Sequence, residues 1–233
     1  MNDIQLSVVV PAYKEAENLG IILPRLVGVL SKVEPSYEVL VIDTMLPMDN
    51  TAHVCSDIPG NILYRNRDCG NNYGDAVRTG IKYARGRYII FMDGDGSHDP
   101  EFIANLYSCR DSNDVVIASR YITGGSTENS RATVFMSLVV NFIYSKVLNL
   151  SCKDVSNSFK LYHAADLKLV NLDSSHFDII EELLFKLKRV NNNIIIKEIP
   201  FNFKGRIRGK TKRNLFVFMI TYIFTLIRLR LRG

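Results

Sequence analysis

Asp93 and Asp95 stand one residue apart at the close of an apolar run, in FMDGDGSHDP. Two carboxylates at this spacing, on a turn that leaves a strand, can converge on one hard divalent cation. Gly94 between them lets the backbone come close to a ligand. The cation would then bridge a diphosphate. An isolated Asp-x-Asp is usually a solvated turn, and the position at a strand end is what lifts this one above that reading. Glu15 and Asp43 close two other apolar runs, and acids there suit ribose hydroxyls or base edges better than phosphate. No Walker-type lysine and no GxGxxG follows the first run, so phosphate-loop and dinucleotide chemistry find no support.

Such acids need a frame that sets strand ends side by side. Runs of strand length recur through the first half, each followed by a loop and a helical pattern: LSVVVP (6–11), YEVLVID (37–43), NILYRN (61–66), RYIIFMD (87–93) and DVVIASR (114–120). The alternation predicts an α/β fold, a mostly parallel central sheet with flanking helices, and strands buried on both faces require such continuous Val and Ile runs. Ligands of these sheets bind beyond the carboxyl ends of the strands. Here those ends are Pro11 to Glu15, Asp43, Asp93 to Asp95 and Ser119 to Tyr121. Beyond residue 130, ATVFMSLVVNFIYSKVLNL predicts a helix apolar around nearly its whole circumference, either a membrane-facing or interface element or a core helix. SNSFKLYHAADLKLV predicts a strand or turn leading into a helix. HFDIIEELLFKLKRVN predicts an amphipathic helix with acids early and bases late, as the helix dipole favours, and IIIKEIPFNF one more strand.

With 233 residues, 47% of them hydrophobic, the chain can bury the core of one elaborated domain. The four cysteines are scattered, with no CxxC pair, which indicates neither a zinc site nor a disulfide framework. The net charge of +5 conceals an asymmetry. Residues 204–232 hold nine Lys or Arg and no acid, which leaves 20 basic against 24 acidic residues in the rest. Within that basic end, LFVFMITYIFTLI (215–227) is 13 residues long, about 20 Å as a helix and short of the roughly 30 Å hydrocarbon core of a bilayer. It is expected to lie on a membrane surface. Lys210, Lys212 and Arg213 before it and Arg228, Arg230 and Arg232 after it suit an anionic cytoplasmic leaflet better than nucleic acid. The competing reading is a buried helix that caps the core or docks a partner subunit. The opening MNDIQLSVVVPAYKE lacks the basic segment and long apolar core of a signal peptide, so the expected location is the cytoplasm, peripheral on the cytosolic face of a membrane.

The strand-end residues occur together and in order, and with them the chain resembles the inverting nucleotide-sugar glycosyltransferases of the GT-A fold, family 2. It is most similar to the dolichol-phosphate mannose synthase branch. VVVPAYKEAENL resembles that family's first strand and loop, VID its second, and GDAVRTGIKYARG its first-domain helix. FMDGDGSHDP is similar to its metal motif, ASRY to the next strand end, NSFKLY to the segment before the late helices, and EIPFNFKGRIRGKTK to its strand and R-x-x-G-x-S/T-K loop. The resemblance implies a Rossmann-like GT-A domain over 1–213 and a membrane-surface helix with a basic tail over 214–233. It implies that Pro11, Tyr13, Glu15 and Asp43 hold the nucleoside and that Asp93 and Asp95 bind Mg2+ or Mn2+ on the diphosphate. Arg120, Arg131, Arg206 and Lys212 would bind phosphates, with Asp95, Arg120 and Arg206 closest to the reaction. Glu182 falls near an acid of the family's helix.

The implied activity is hexosyl transfer from a nucleotide sugar, a GDP-mannose or a UDP-sugar, to a polyprenyl phosphate, dolichyl or undecaprenyl. The implied partners are the donor, the lipid, the membrane surface and a small membrane subunit. One loop departs from the family. Where relatives carry DDGSxDGT this chain has DTMLPMDNT, with Thr44 in place of the second acid, and Ser97 stands where some relatives place a further metal ligand. The sequence leaves open two alternatives: transfer to a polysaccharide or protein hydroxyl, and a sugar-nucleotide-binding scaffold without catalysis.

Overall fold

The structure is a computed structural model and describes residues 3–209 and 215–232. Strands β1 (Leu6–Pro11), β2 (Tyr37–Asp43), β3 (Ile62–Asn66), β4 (Tyr88–Phe91) and β5 (Val115–Ser119) fall on the five runs predicted from the sequence. With β7 (Lys160–His163) and β8 (Ile196–Pro200) they form one sheet in the order β3-β2-β1-β4-β7-β5-β8. All neighbours are parallel except β7, which runs antiparallel to both β4 and β5. The mostly parallel α/β prediction therefore holds. Two short strands, β6 (Ser126–Thr127) and β9 (Asn202–Phe203), pair beside it.

Successive residues of a strand point to opposite faces, and β1 shows the consequence. Val9 packs into a core with α3 (Tyr73–Tyr83) and α7 (Ile179–Val190), whereas Val8 and Val10 pack into a core with α1 (Ala16–Val33). The sheet is thus covered on both faces, as continuous apolar strands demand. On α1, Leu19, Ile22, Leu23, Leu26 and Leu30 recur at three- and four-residue intervals and are all fully buried. Each contributes about 1.5–3 kcal/mol of transfer free energy. Helix α3 opens on a capping box between Asn72 and Asp75, which fixes its first turn next to the sheet rim.

The greasy segment after residue 130 forms α5 (Arg131–Val147), of which only Asn141 and Tyr144 are buried. Phe135, Leu138, Phe142 and Ile143 are exposed, so this is a surface helix and not a core helix. Helix α8 (Leu215–Arg232) packs against α5 and α7, with the Tyr144 hydroxyl donating to the Tyr222 carbonyl (2.5 Å). No helix among the described residues is long and apolar enough to cross a membrane.

Candidate active site

The ends of β1, β2, β4, β5 and β8 line one rim of the sheet, and the loops that leave them carry most of the predicted site. Asp93 follows β4 with its side chain one-quarter exposed. Its Oδ1 accepts from Ser158 Oγ (3.1 Å) and from the Tyr73 hydroxyl (3.3 Å), and its backbone N–H donates to His98 Nδ1 (2.9 Å). With Nδ1 as acceptor, the imidazole proton sits on Nε2, buried and 3.8 Å from Asp93 Oδ2. The His98 ring stacks on Phe159 at 4.6 Å and meets Phe201 and Phe203 edge-on. Burial lowers its pKa and keeps it neutral.

Asp95 Oδ1 accepts from the Ser97 N–H (3.0 Å) and hydroxyl (2.6 Å), so Ser97, proposed above as a further ligand, supports the acid from below. Burial raises the Asp93 carboxyl above its usual range, and the Asp95 charge pushes the same way while His98 opposes it. Two adjacent acids in this condition are stabilised by a cation. Among the described residues no group of three His, Cys, Asp or Glu gathers. Two carboxylates fit the habit of Mg2+ and Mn2+, which leave their remaining positions to water and substrate phosphate oxygens.

The segment after β9 folds back over this turn. Lys204 N–H donates to the Ser97 carbonyl (3.3 Å) and Ile207 N–H to the Asp95 carbonyl (2.9 Å). Gly96 sits at φ +87°, and a Cβ there would lie 2.5 Å from the Ile207 side chain, so only glycine admits the contact. Arg206 is thereby delivered to the acids: Nη2 donates to both Glu15 oxygens (2.6 and 2.8 Å), and Nη1 lies 3.9 Å from Asp95 Oδ2. Glu15 and Arg206 border a cleft of about 470 Å3 that Asp49 and Asn50 also line.

The other predicted residues divide. Pro11 ends β1 in register with Ile42, and Tyr13, about one-third exposed, stands on the rim beside Lys14, which takes a left-handed φ of +54°. Asp43 is fully buried, and Thr44 N–H (2.7 Å) and the Tyr64 hydroxyl (3.0 Å) donate to its two oxygens. The altered DTMLPMDNT loop thus uses Thr44 to fix Asp43, and it exposes Met45, Leu46 and Met48. Arg120 is held from the far side: Nε and Nη2 donate to the two oxygens of buried Asp154 (2.9 and 2.7 Å) and Nη2 to Ser156 Oγ (3.0 Å). Arg131 opens α5, exposed, and makes no ion pair with the strand-end acids among the described residues. Lys212, with Lys210 and Arg213, lies outside the described residues.

Several participants had no signal strong enough to find in the sequence. Arg67, at the end of β3, is buried and donates to the Ala12 carbonyl (2.6 Å) and the Asn72 carbonyl (3.1 Å), pinning the first loop to the start of α3. Tyr73, Ser158 and His98 close around Asp93 from three separate segments. Ser158 lies inside NSFKLY and His98 inside FMDGDGSHDP, but only the antiparallel insertion of β7 beside β4 shows that they meet.

Two acids at one strand end, an arginine brought to them by the last loop, and a mostly parallel sheet covered on both faces make a GT-A-like frame whose rim suits a divalent cation and a diphosphate. The chain belongs to glycosyl transferase family 2, whose family match spans residues 7–170. It is 28% identical to a dolichol-phosphate mannosyltransferase of Pyrococcus furiosus over 221 residues, covering 90% of this chain and 59% of the relative. It is also 28% identical to an undecaprenyl-phosphate mannosyltransferase of Micrococcus luteus, covering 88% and 85% respectively. Among solved structures, a glucosyl-3-phosphoglycerate synthase from Mycobacterium tuberculosis in complex with Mn2+, UDP and glucosyl-3-phosphoglycerate superposes with a TM-score of 0.69 at 15% identity. That match covers 97% of this chain and 79% of the other.

Proposed function

We propose that the chain is a divalent-metal-dependent, inverting mannosyltransferase that moves the sugar of a nucleotide diphosphate donor to a polyprenyl phosphate on the cytosolic face of a membrane. The observation that carries the reading is the convergence of Asp93, Asp95 and Arg206 at one strand end, within a family 2 chain whose similar relatives bear polyprenyl-phosphate mannosyltransferase names. Glu15, which borders the cleft, would face the nucleoside with Pro11 and Tyr13, and the fully buried Asp43 would support them through its bonds to Thr44 and Tyr64.

Asp93 and Asp95 would hold the cation, which supplies charge neutralisation for the diphosphate. The acceptor phosphate is already an anion, so its oxygen attacks the anomeric carbon from the face opposite the departing nucleoside diphosphate. The new C–O bond forms as the bond to the β-phosphate oxygen breaks, and that oxygen takes the electron pair. No proton changes hands, and no general base is needed. Arg206 would provide a fixed positive charge where negative charge gathers, and Asp154 fixes the Arg120 guanidinium that follows β5.

The exposed apolar faces of α5 and α8 support a lipid acceptor over a soluble polysaccharide or protein hydroxyl, and Lys146 and Arg230 on the same helices suit an anionic surface. Asp95→Asn is expected to abolish metal-dependent transfer, and undiminished activity would overturn the reading. Thermal unfolding with GDP- and UDP-sugars, with and without Mn2+, identifies the donor. Stabilisation by none of them would favour a scaffold.

A further inference from the structure

We infer that Tyr73 is a positioning residue that aims Asp93, and that its own seat is set by the docking of the C-terminal helix. The inference rests on the metal-binding reading of Asp93 given above.

The Tyr73 hydroxyl donates to Asp93 Oδ1 at 3.3 Å, and the face of its ring stacks on Phe177 at 4.2 Å with 19° between planes. Phe177 belongs to the loop between α6 (Ala164–Leu169) and α7. That loop is clamped on two sides. Toward α3, Gly74 N–H donates to the Ser175 carbonyl (2.8 Å) and Arg78 Nη1 to the Ser174 carbonyl (2.6 Å). A Cβ on Gly74 would fall 2.3 Å from the Ser174 carbonyl oxygen, so the loop backbone lies directly against the first turn of α3. Toward α8, Arg228 Nη2 donates to Ser174 Oγ (2.6 Å) and Thr225 Oγ1 to Asp178 Oδ2 (2.5 Å).

Glu182 ties these together. Its fully buried carboxylate accepts from the Asp173 and Ser174 N–H groups (3.0 and 2.7 Å) and lies 3.8 Å from Arg228 Nη2. A partly buried, directional series of contacts therefore runs from α8 through residues 173–178 to the Tyr73 ring and on to the acid. An outer partner of this kind acts on a metal by orienting the ligand, and its loss costs about 10–100-fold in metal affinity. Coupling across such a series is established only by non-additivity between its ends.

The test is Mn2+ affinity of the full-length protein with GDP or UDP present, by calorimetry and by the Mn2+ electron paramagnetic resonance signal. Asp93→Asn is expected to abolish binding; binding that survives it overturns the metal reading, and this inference with it. Tyr73→Phe keeps the stack on Phe177 and is expected to weaken Mn2+ about tenfold. Unchanged affinity, with Asp93→Asn inactive, overturns the positioning role alone. Arg228→Met is expected to weaken Mn2+ about threefold in the native background and not at all in Tyr73→Phe, with unchanged melting temperature in both. An equal loss in both backgrounds, which general loosening of the fold would give, overturns the coupling to α8.

Discussion

Arg206 closes on Glu15 across 191 residues of sequence, with Nη2 2.6 Å and 2.8 Å from the two carboxylate oxygens. The loop after the last strand is thereby latched to the loop after the first, and the same guanidinium reaches to within 3.9 Å of Asp95. A planar fork can serve both acids, whereas an ammonium cannot.

Arg206→Lys is therefore expected to lower the proposed sugar transfer to polyprenyl phosphate about 100-fold, the scale set by misplacing one group by about 1 Å in a positioned site. The loss is expected in kcat, with the melting temperature unchanged. Steady-state kinetics with radiolabelled donor check it, and a loss confined to KM would show that Arg206 binds substrate and transition state equally.

Much of this rim was legible in the sequence, because a parallel strand buried on both faces writes itself as an apolar run whose last residue sits at the site. Asp43, Asp93 and Asp95 could be placed on that ground alone. Tyr73, Ser158, Asp154 and Phe177 could not. Each reaches the site through a tertiary contact, chiefly the antiparallel β7 between β4 and β5, which no local periodicity announces. Arg120 shows the reverse: the family resemblance implied a phosphate contact for it, while its bidentate bond to Asp154 is set by a partner 34 residues away. The all-round apolar pattern of α5 was equally compatible with core and surface, and only its packing decides between them.

The Arg120–Asp154 pair is buried on both sides, with side-chain exposures of 9% and 0%. Removing one partner of such a pair leaves an uncompensated charge, at a cost of about 3–5 kcal/mol. Asp154→Ala is expected to lower the melting temperature by roughly 10 °C, on the scaling for a chain of this size, and to reduce transfer as Arg120 loses its orientation. Calorimetry beside an activity assay checks both. A full-activity variant with a lowered melting temperature would assign the pair to stability only.

Phe142 on α5 and Phe224 on α8 are 63% and 69% exposed, and α5 and α8 pack side by side. Burying each ring in a lipid interface contributes about 1.5–3 kcal/mol. Phe142→Ser with Phe224→Ser is expected to reduce co-flotation with anionic vesicles at least about tenfold, leaving thermal stability intact. Binding to the same vesicles should also weaken as salt rises, because the basic side chains contribute through a screened field. Salt-insensitive, phenylalanine-insensitive flotation would remove the membrane role of this face.

Glu181 lies fully buried on α7, where burial pushes its carboxyl up to about 8 against the opposing pull of Lys160 and Tyr222. The ordinary value is 4.5. Between those two values the folded chain keeps a proton that the unfolded chain has released, so stability falls as pH rises, by up to about 1.4 kcal/mol per unit. Lys160, brought down to about 8 by burial, is protonated in both states below that pH. Buried His98 and Asp93 also titrate differently in the folded and unfolded chains, so it is the difference between Glu181→Gln and the native chain that reports on Glu181. Glu181→Gln cannot ionise and should escape the fall. Its melting temperature is expected to be equal to or below that of the native chain at pH 5, and above it at pH 8, the gap widening by about 3 °C per unit. Parallel curves across the window would show that Glu181 titrates near its ordinary value in the folded state.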